Sequence, residues 1–143
     1  MSGKFTSPRG TIPGFRYRNA PAAIEFLKKA FGFEENAVYP GESEGEIAHA
    51  QLTLGQAMIM LGSGKGGEFD KLRVDPKDAG GVTSSVYIVV ENIDELYENA
   101  KAAGAEIVME ICDQDYGSRD FSARDPEGYV WSFGTYDPWE SGE

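Results

Sequence analysis

The sequence predicts an α+β fold made of two tandem βαβββ modules in one domain. Three observations support this prediction: a strand followed by an Asn-capped helix occurs twice, each helix ends at a glycine, and each half closes with a glycine-turned hairpin. Residues 19–32 match residues 92–104, and Gly55 and Gly128 occupy equivalent hairpin positions. A chain of 143 residues is an ordinary size for one domain, which we assign to residues 1–143.

The first module spans about residues 10–62. Its aromatic segment FRYR favours a strand. In NAPAAIEFLKKAFGF the apolar residues recur at helical spacing between Asn19, the expected N-cap, and Gly32, the expected C-cap. The segment EIAHAQLTLGQAMIMLGS alternates polar and apolar residues on either side of Gly55, which indicates a hairpin.

A linker of about residues 63–81 collects glycine and charge without periodicity, and we expect it to be mobile. The second module spans about residues 82–137 and repeats the pattern, with SSVYIVV as a strand, a helix capped by Asn92 and the closing hairpin ARDPEGYVWSFG. Each half can cover only one face of its small sheet with its helix. Two such sheets are therefore expected to pair and to leave a concave face for a ligand.

Composition excludes several classes of partner. The chain has 24 acidic against 13 basic side chains, a formal net charge of -11, which should repel nucleic acid phosphates and anionic lipids. No apolar run approaches the roughly 20 residues needed to cross a bilayer, and MSGKFTSPRGTIPG lacks the apolar centre of a signal peptide. Cys112 is the only cysteine, so no intramolecular disulfide can form. We expect a cytoplasmic protein with neither nucleic-acid nor membrane partners.

The residues that carry the repeat also resemble a known family. AIEFLKKAFGFE in the first helix, AHAQLTLG in the first hairpin and DPEGYVWSF in the last are similar to the vicinal oxygen chelate superfamily, which includes glyoxalase I, bleomycin resistance proteins and extradiol dioxygenases. The resemblance covers about residues 10–137. It implies a cup-shaped mixed sheet with the helices on its convex side, and a homodimer in which the partner completes the cleft.

Enzymes of that family hold a divalent metal on the concave face. The resemblance places the four ligand positions at Ile12, Gln51, Ser85 and Ser132. Isoleucine cannot coordinate a metal and neutral serine hydroxyls are poor ligands, which leaves only Gln51. The sequence thus predicts no metal site and no cofactor, and it does not favour classical metal-dependent glyoxalase or dioxygenase activity. The alternative is an atypical lyase, isomerase or dioxygenase that uses Gln51, His49 and a carboxylate not yet located.

Strand parity predicts which side chains line the cleft, because alternate residues of a strand face opposite sides of a sheet. The same parity directs Trp131 and Phe133 towards the helices. The segment DYGSRDF adds two residues, since the family places a loop at the mouth of the cleft there. The predicted cleft residues are Arg16, His49, Gln51, Thr53, Ser85, Tyr87, Tyr116, Arg119, Val130 and Ser132.

Arg16 and His49 are the candidates for contact with an anionic ligand group. A buried guanidinium needs an anionic or acceptor-rich partner, and the ligand could supply a carboxylate or phosphate. The alternative is that Arg16 pairs with an internal acid such as Asp120 or Glu46, and that His49 donates to a side chain on a neighbouring strand.

Three functions remain open at this level. The favoured one is a protein of the glyoxalase/bleomycin-resistance type that binds or sequesters a small molecule, anionic or aromatic, without a catalytic metal. The second is the atypical metal-dependent enzyme. The third is a structural or interaction protein, which the lack of any pocket of roughly 300 Å³ would favour. No catalytic residue is assigned.

Overall fold

The computed structural model describes residues 10–64 and 66–140. It shows two four-stranded mixed sheets, with strand orders β1-β4-β3-β2 and β5-β8-β7-β6. The predicted α+β class with two βαβββ modules is therefore confirmed. The elements are β1 (Gly14–Arg16), α1 (Ala20–Phe31), β2 (Glu34–Pro40), β3 (Ile47–Leu54), β4 (Ala57–Gly62), a 3-10 turn (Phe69–Leu72), α2 (Pro76–Ala79), β5 (Val86–Val89), α3 (Ile93–Ala102), β6 (Glu106–Asp113), β7 (Arg119–Arg124) and β8 (Val130–Gly134).

The two sheets have the same topology. In each, the first strand pairs in parallel with the last, and the remaining neighbours are antiparallel. The hairpin turns follow the prediction, because Gly55 and Gly128 adopt φ values of 60° and 100° that favour glycine. The sequence did not locate β2 and β6, which are largely exposed edge strands without a clean apolar alternation.

Helices α1 and α3 cover one face of the sheets. The Asn19 side chain accepts a hydrogen bond from the Ala22 N–H at 3.2 Å, so it caps α1 as predicted. Asn92 precedes α3 but its side chain makes no capping hydrogen bond. Trp131 and Phe133 are fully buried on the core side, where strand parity directs them. None of the helices in the described part of the chain combines the length and apolar content needed to cross a membrane.

The modules meet where β1 of the first packs against β8 of the second. The Phe15 ring stacks on Trp131 with centroids 5.0 Å apart. The Tyr17 hydroxyl donates to Asp125 Oδ2 at 2.6 Å, and the Tyr129 hydroxyl donates to the Arg16 carbonyl at 2.8 Å. Because these contacts are buried or half-buried, the two modules share one continuous core.

The linker is not the irregular segment that the sequence predicts. Its described residues include the 3-10 turn and α2. Arg16 and Arg18 of the first module both bind the carboxylate of Asp75, and Arg18 also binds Asp78. The linker is therefore tied across the end of β1 by ion pairs between residues more than 50 positions apart, which local periodicity cannot reveal.

Candidate ligand cavities beside the first strand

The larger cavity, which we call the inter-module cavity, has a volume of about 680 Å³. It lies between β1, the linker and β5. One part of its wall carries hydroxyl groups, from Thr11, Thr83, Ser84 and Ser85. Another part is apolar, from Phe15, Leu72, Val74, Val86 and Val130. Both modules and the linker thus contribute to a single cavity of mixed character.

Two tyrosines from the second module complete this wall. The Tyr87 hydroxyl donates to the Tyr136 carbonyl at 2.9 Å, and the Tyr129 hydroxyl donates to the Arg16 carbonyl at 2.8 Å. Burial raises the pKa of both phenols, so both stay neutral near pH 7. Each hydroxyl is thus already engaged with a backbone carbonyl.

A second cavity, which we call the first-sheet cavity, has a volume of about 470 Å³. Ile12, His49, Met60 and Phe69 contribute to its wall, and it shares Gly14, Phe15 and Arg73 with the inter-module cavity. His49 Nε2 lies 3.0 Å from Gln51 Oε1, and its ring stacks on Tyr39 with centroids 6.1 Å apart. The hydrogen-bond partner of His49 is therefore on its own strand, not on a neighbouring strand as the sequence interpretation had it.

Arg16 binds the linker. Its guanidinium donates to the Asp70 carbonyl at 3.2 Å, the Arg73 carbonyl at 3.4 Å and Asp75 Oδ1 at 3.1 Å. The interpretation that Arg16 pairs with an internal acid is thus the one that the geometry shows. The suggested partners, Asp120 and Glu46, are wrong, because the linker folds back over the end of β1 and brings Asp75 there instead.

Asp75 is the acceptor that anchors the linker. Burial by itself would raise the pKa of this carboxyl, but hydrogen bonds from Arg18 and Arg16 outweigh burial, and the pKa of Asp75 is lowered. The carboxylate therefore stays ionised at neutral pH and holds the linker against Arg16 and Arg18.

The four positions that hold a metal in the family's enzymes do not fit a divalent ion here. Ile12 has no donor atom. Gln51 Nε2 donates to Asn36 Oδ1 at 2.8 Å, and the hydroxyl oxygens of Ser132 and Ser122 lie 2.6 Å apart. Within residues 10–64 and 66–140, no group of three or more His, Cys, Asp or Glu side chains is placed to hold a metal ion. The donors at these positions are neutral, and those of Gln51 and Ser132 are already bonded to neighbouring side chains.

The loop residues that the sequence places at the cleft mouth lie elsewhere. Arg119 donates from Nε to Asp94 and from a terminal nitrogen to Asp113, both at 3.0 Å, on the exposed surface. Tyr116 lines a separate cavity of about 230 Å³ together with Tyr136. The structure does not bring either residue to the two cavities beside β1.

The predicted cleft residues are therefore only partly brought together. Ser85, Tyr87 and Val130 line the inter-module cavity, and His49 lines the first-sheet cavity. Arg16, Gln51, Thr53 and Ser132 line neither of them. Thr53 lies on β3, in register with Met58 and Glu34.

Sequence reasoning missed Arg73. This linker residue lines both cavities, donates to Asp70 Oδ1 at 2.7 Å and places its guanidinium over the Phe69 ring, 5.0 Å from the centroid. The surrounding segment has no strand or helix periodicity, so parity could not predict its direction. The one available signal was an arginine between two apolar residues, Leu72 and Val74, in an otherwise polar linker.

Together, the paired modules and the cavities beside β1 define a small α+β protein with a ligand-sized cleft. The chain belongs to the Glyoxalase/Bleomycin resistance protein/Dioxygenase superfamily, whose family model matches residues 13–133. The resemblance stated from the sequence is thereby confirmed.

Similar proteins span most of the chain. An uncharacterized protein of Mycobacterium bovis is 31% identical over 116 residues, which are 81% of this chain and 76% of that protein. The crystal structure of TioX from Micromonospora sp. ML1 is similar with a TM-score of 0.66 and 31% identity, covering 87% of this chain and 94% of TioX. The fosfomycin resistance protein FosX of Listeria monocytogenes, crystallised with Mn(II) and a dihydroxypropylphosphonic acid, shares the fold with a TM-score of 0.66 at 13% identity, covering 92% of this chain and 94% of FosX.

Proposed function

We propose that this chain binds or sequesters a small molecule in the inter-module cavity and does so without a catalytic metal. The observation that carries the proposal is the volume of that cavity, about 680 Å³, which falls in the range of roughly 300–1,000 Å³ typical of small-molecule sites. A cavity of this size weighs against a protein whose cleft is filled by its own side chains.

The lining suggests the kind of ligand. Phe15 and Val86 offer apolar contact, while the hydroxyls of Thr83 and Ser85 offer hydrogen bonds at one side. A largely apolar or aromatic molecule with a few polar groups suits this wall, because polar groups at a few positions orient a ligand that is held mainly by apolar burial.

The comparisons support the proposal at the level of the family. The superfamily name includes bleomycin resistance proteins, and FosX is a fosfomycin resistance protein. A role in binding an antibiotic-like compound is consistent with both names.

The homodimer and the cytoplasmic location stay predictions. The exposed apolar side chains of Phe69, Leu72 and Val74 beside the cavities support a dimer. Sedimentation equilibrium would measure the oligomeric state.

Filling the inter-module cavity should weaken binding. We expect Ser85→Trp to weaken binding of the fluorescent apolar probe N-phenyl-1-naphthylamine by at least about ten-fold, since the indole would occupy the space that the probe needs. Ser85 is exposed and lines the cavity, so the thermal midpoint should change little. Probe fluorescence and thermal unfolding measure the two effects.

Ser43→Trp is the matched control. Ser43 is exposed in the turn before β3 and lines neither cavity, so this variant adds the same indole at a distance. Equal probe affinity in wild type and Ser43→Trp, with loss only in Ser85→Trp, is the expected result. Equal affinity in all three proteins would place the probe elsewhere and remove the support for this cavity.

Metal addition should not stabilise the protein. Because Ile12 offers no donor and Ser132 is bonded to Ser122, we expect chelator-stripped protein to show no saturable rise in thermal midpoint on titration with Mn²⁺, the ion in the FosX crystal. A bound ion at a hundred times its dissociation constant would add about 2.7 kcal/mol. A saturable rise that disappears in Gln51→Ala would instead favour the atypical metal-dependent enzyme.

A further inference from the structure

The two cavities beside β1 have an unusual charge composition for this chain. The chain carries 24 acidic side chains, yet none of the described residues that line either cavity is Asp or Glu. Among those lining residues, Arg73 is the only one with a guanidinium or ammonium group. Arg73 is thus the single cationic side chain among the described lining residues, with Asp70 Oδ1 paired to its guanidinium at 2.7 Å.

Arg73 also has hydrogen-bonding capacity to spare. Its Nε–H is buried and has no hydrogen-bond partner among the described residues, although one terminal nitrogen binds Asp70. Arg16 differs, because its guanidinium reaches three acceptors in the linker. A buried donor left without an acceptor is unfavourable. Because Nε itself is covered, a ligand acceptor relieves that cost when the guanidinium turns towards the cleft.

The position of Arg73 connects the two cavities. Gly14, Phe15 and Arg73 contribute to the walls of both, so the cavities adjoin at these residues. The Phe69 ring covers one face of the guanidinium. A cation flanked by aromatic and apolar groups suits an anionic group attached to an aromatic body.

We propose that the two cavities form one groove for an elongated aromatic anion, and that Arg73 binds its carboxylate or sulfonate at the junction. This proposal rests on the proposed function and adds the ligand class and the residue that selects it. Arg73 takes the role that sequence reasoning gave to Arg16, because three linker acceptors already engage Arg16, whereas the Nε–H of Arg73 has no partner among the described residues.

The test compares two probes that differ chiefly by one anionic group: 1-anilinonaphthalene-8-sulfonate and the neutral N-phenyl-1-naphthylamine. We expect Arg73→Gln to weaken binding of the sulfonate about ten-fold and to change binding of the neutral probe less than about two-fold. Lys71→Gln is the matched control, because it removes one positive charge from the same turn at an exposed side chain that lines neither cavity.

The outcomes separate this proposal from the proposed function. Two results together support both proposals: Arg73→Gln loses sulfonate affinity while Lys71→Gln keeps it, and the neutral probe displaces the sulfonate from wild type. Equal sulfonate affinity in Arg73→Gln and Lys71→Gln, with the neutral probe still bound, overturns the role of Arg73 and leaves the binding function standing. Failure of wild type to bind either probe overturns both. Retained affinity for the neutral probe shows that Arg73→Gln is folded.

Discussion

Replacement of Asp125 by alanine is expected to lower the free energy of unfolding by about 3–4 kcal/mol, because two buried side-chain donors lose their acceptor and each such loss costs about 1–3 kcal/mol. Asp125 is only 4% exposed. Its Oδ2 accepts from the Tyr17 hydroxyl at 2.6 Å and from Trp131 Nε1 at 3.1 Å. Its Oδ1 accepts from the backbone N–H groups of Glu127 and Tyr129, both at 3.0 Å. One carboxylate therefore joins the first module to the closing turn of the second.

Urea unfolding of wild type, Asp125→Ala and Asp113→Ala tests this prediction. Asp113 is the matched control, since its carboxylate also binds a partner, Arg119, but is largely exposed. Loss of a surface pair should cost about 0–1 kcal/mol. Similar losses in the two variants would show that Asp125 does not carry the connection between the modules.

The same carboxyl gives a pH dependence with a definite sign. Burial raises the pKa of Asp125 above its ordinary value, even though hydrogen bonds from Tyr17 and Trp131 oppose that effect. The relevant pH window lies between the pKa of an unfolded Asp, about 3.9, and the raised pKa of Asp125 in the folded state. In this window the folded state binds more protons than the unfolded state, so the contribution of Asp125 to stability falls as pH rises. The stability difference between wild type and Asp125→Asn should therefore shrink across this window, and a difference that grows with pH would contradict the sign.

Trp131→Ala should be similarly severe, with an expected loss of about 3–5 kcal/mol typical of truncating a large buried aromatic. The Trp131 side chain is fully buried. Its ring lies 5.0 Å from that of Phe15 in the first module and 5.7–5.8 Å from those of Phe33 and Phe31, centroid to centroid. Removal of the indole would leave a cavity at the point where the two modules meet.

Trp139 supplies the control within the same chain. It is 95% exposed, so Trp139→Ala should leave the urea midpoint almost unchanged. Because each variant retains one tryptophan, fluorescence and far-ultraviolet circular dichroism can both follow unfolding. A loss below about 1 kcal/mol in Trp131→Ala would mean that the module interface contributes little to stability, contrary to the packing described above.

Elements with strong local periodicity were predictable from the sequence. The alternation around Gly55 located the hairpin of β3 and β4, and parity directed Trp131 and Phe133 into the core. The edge strands β2 and β6 were not predicted, because their mostly exposed residues carry no alternation of apolar and polar types. Periodicity reports burial, and an edge strand with little burial gives little signal.

The candidate site was less predictable than the fold. Three of the residues that strand parity selected, Ser85, Tyr87 and Val130, line the inter-module cavity. Strand parity could not show that Arg16 forms an ion pair with Asp75, since the two residues are 59 positions apart. It also had no basis for Arg73, which lies in a segment without periodicity.

The sequence by itself determined the α+β class, the duplicated module and the inward face of the main strands, because these follow from the spacing of apolar residues and glycines along the chain. Only the tertiary structure decided which charged groups remain available at the cleft. Two features depend on how the linker folds across β1: Arg16 pairs with the linker, and Nε of Arg73 has no hydrogen-bond partner among the described residues. That path is set by ion pairs between distant residues, for which local sequence carries no signal.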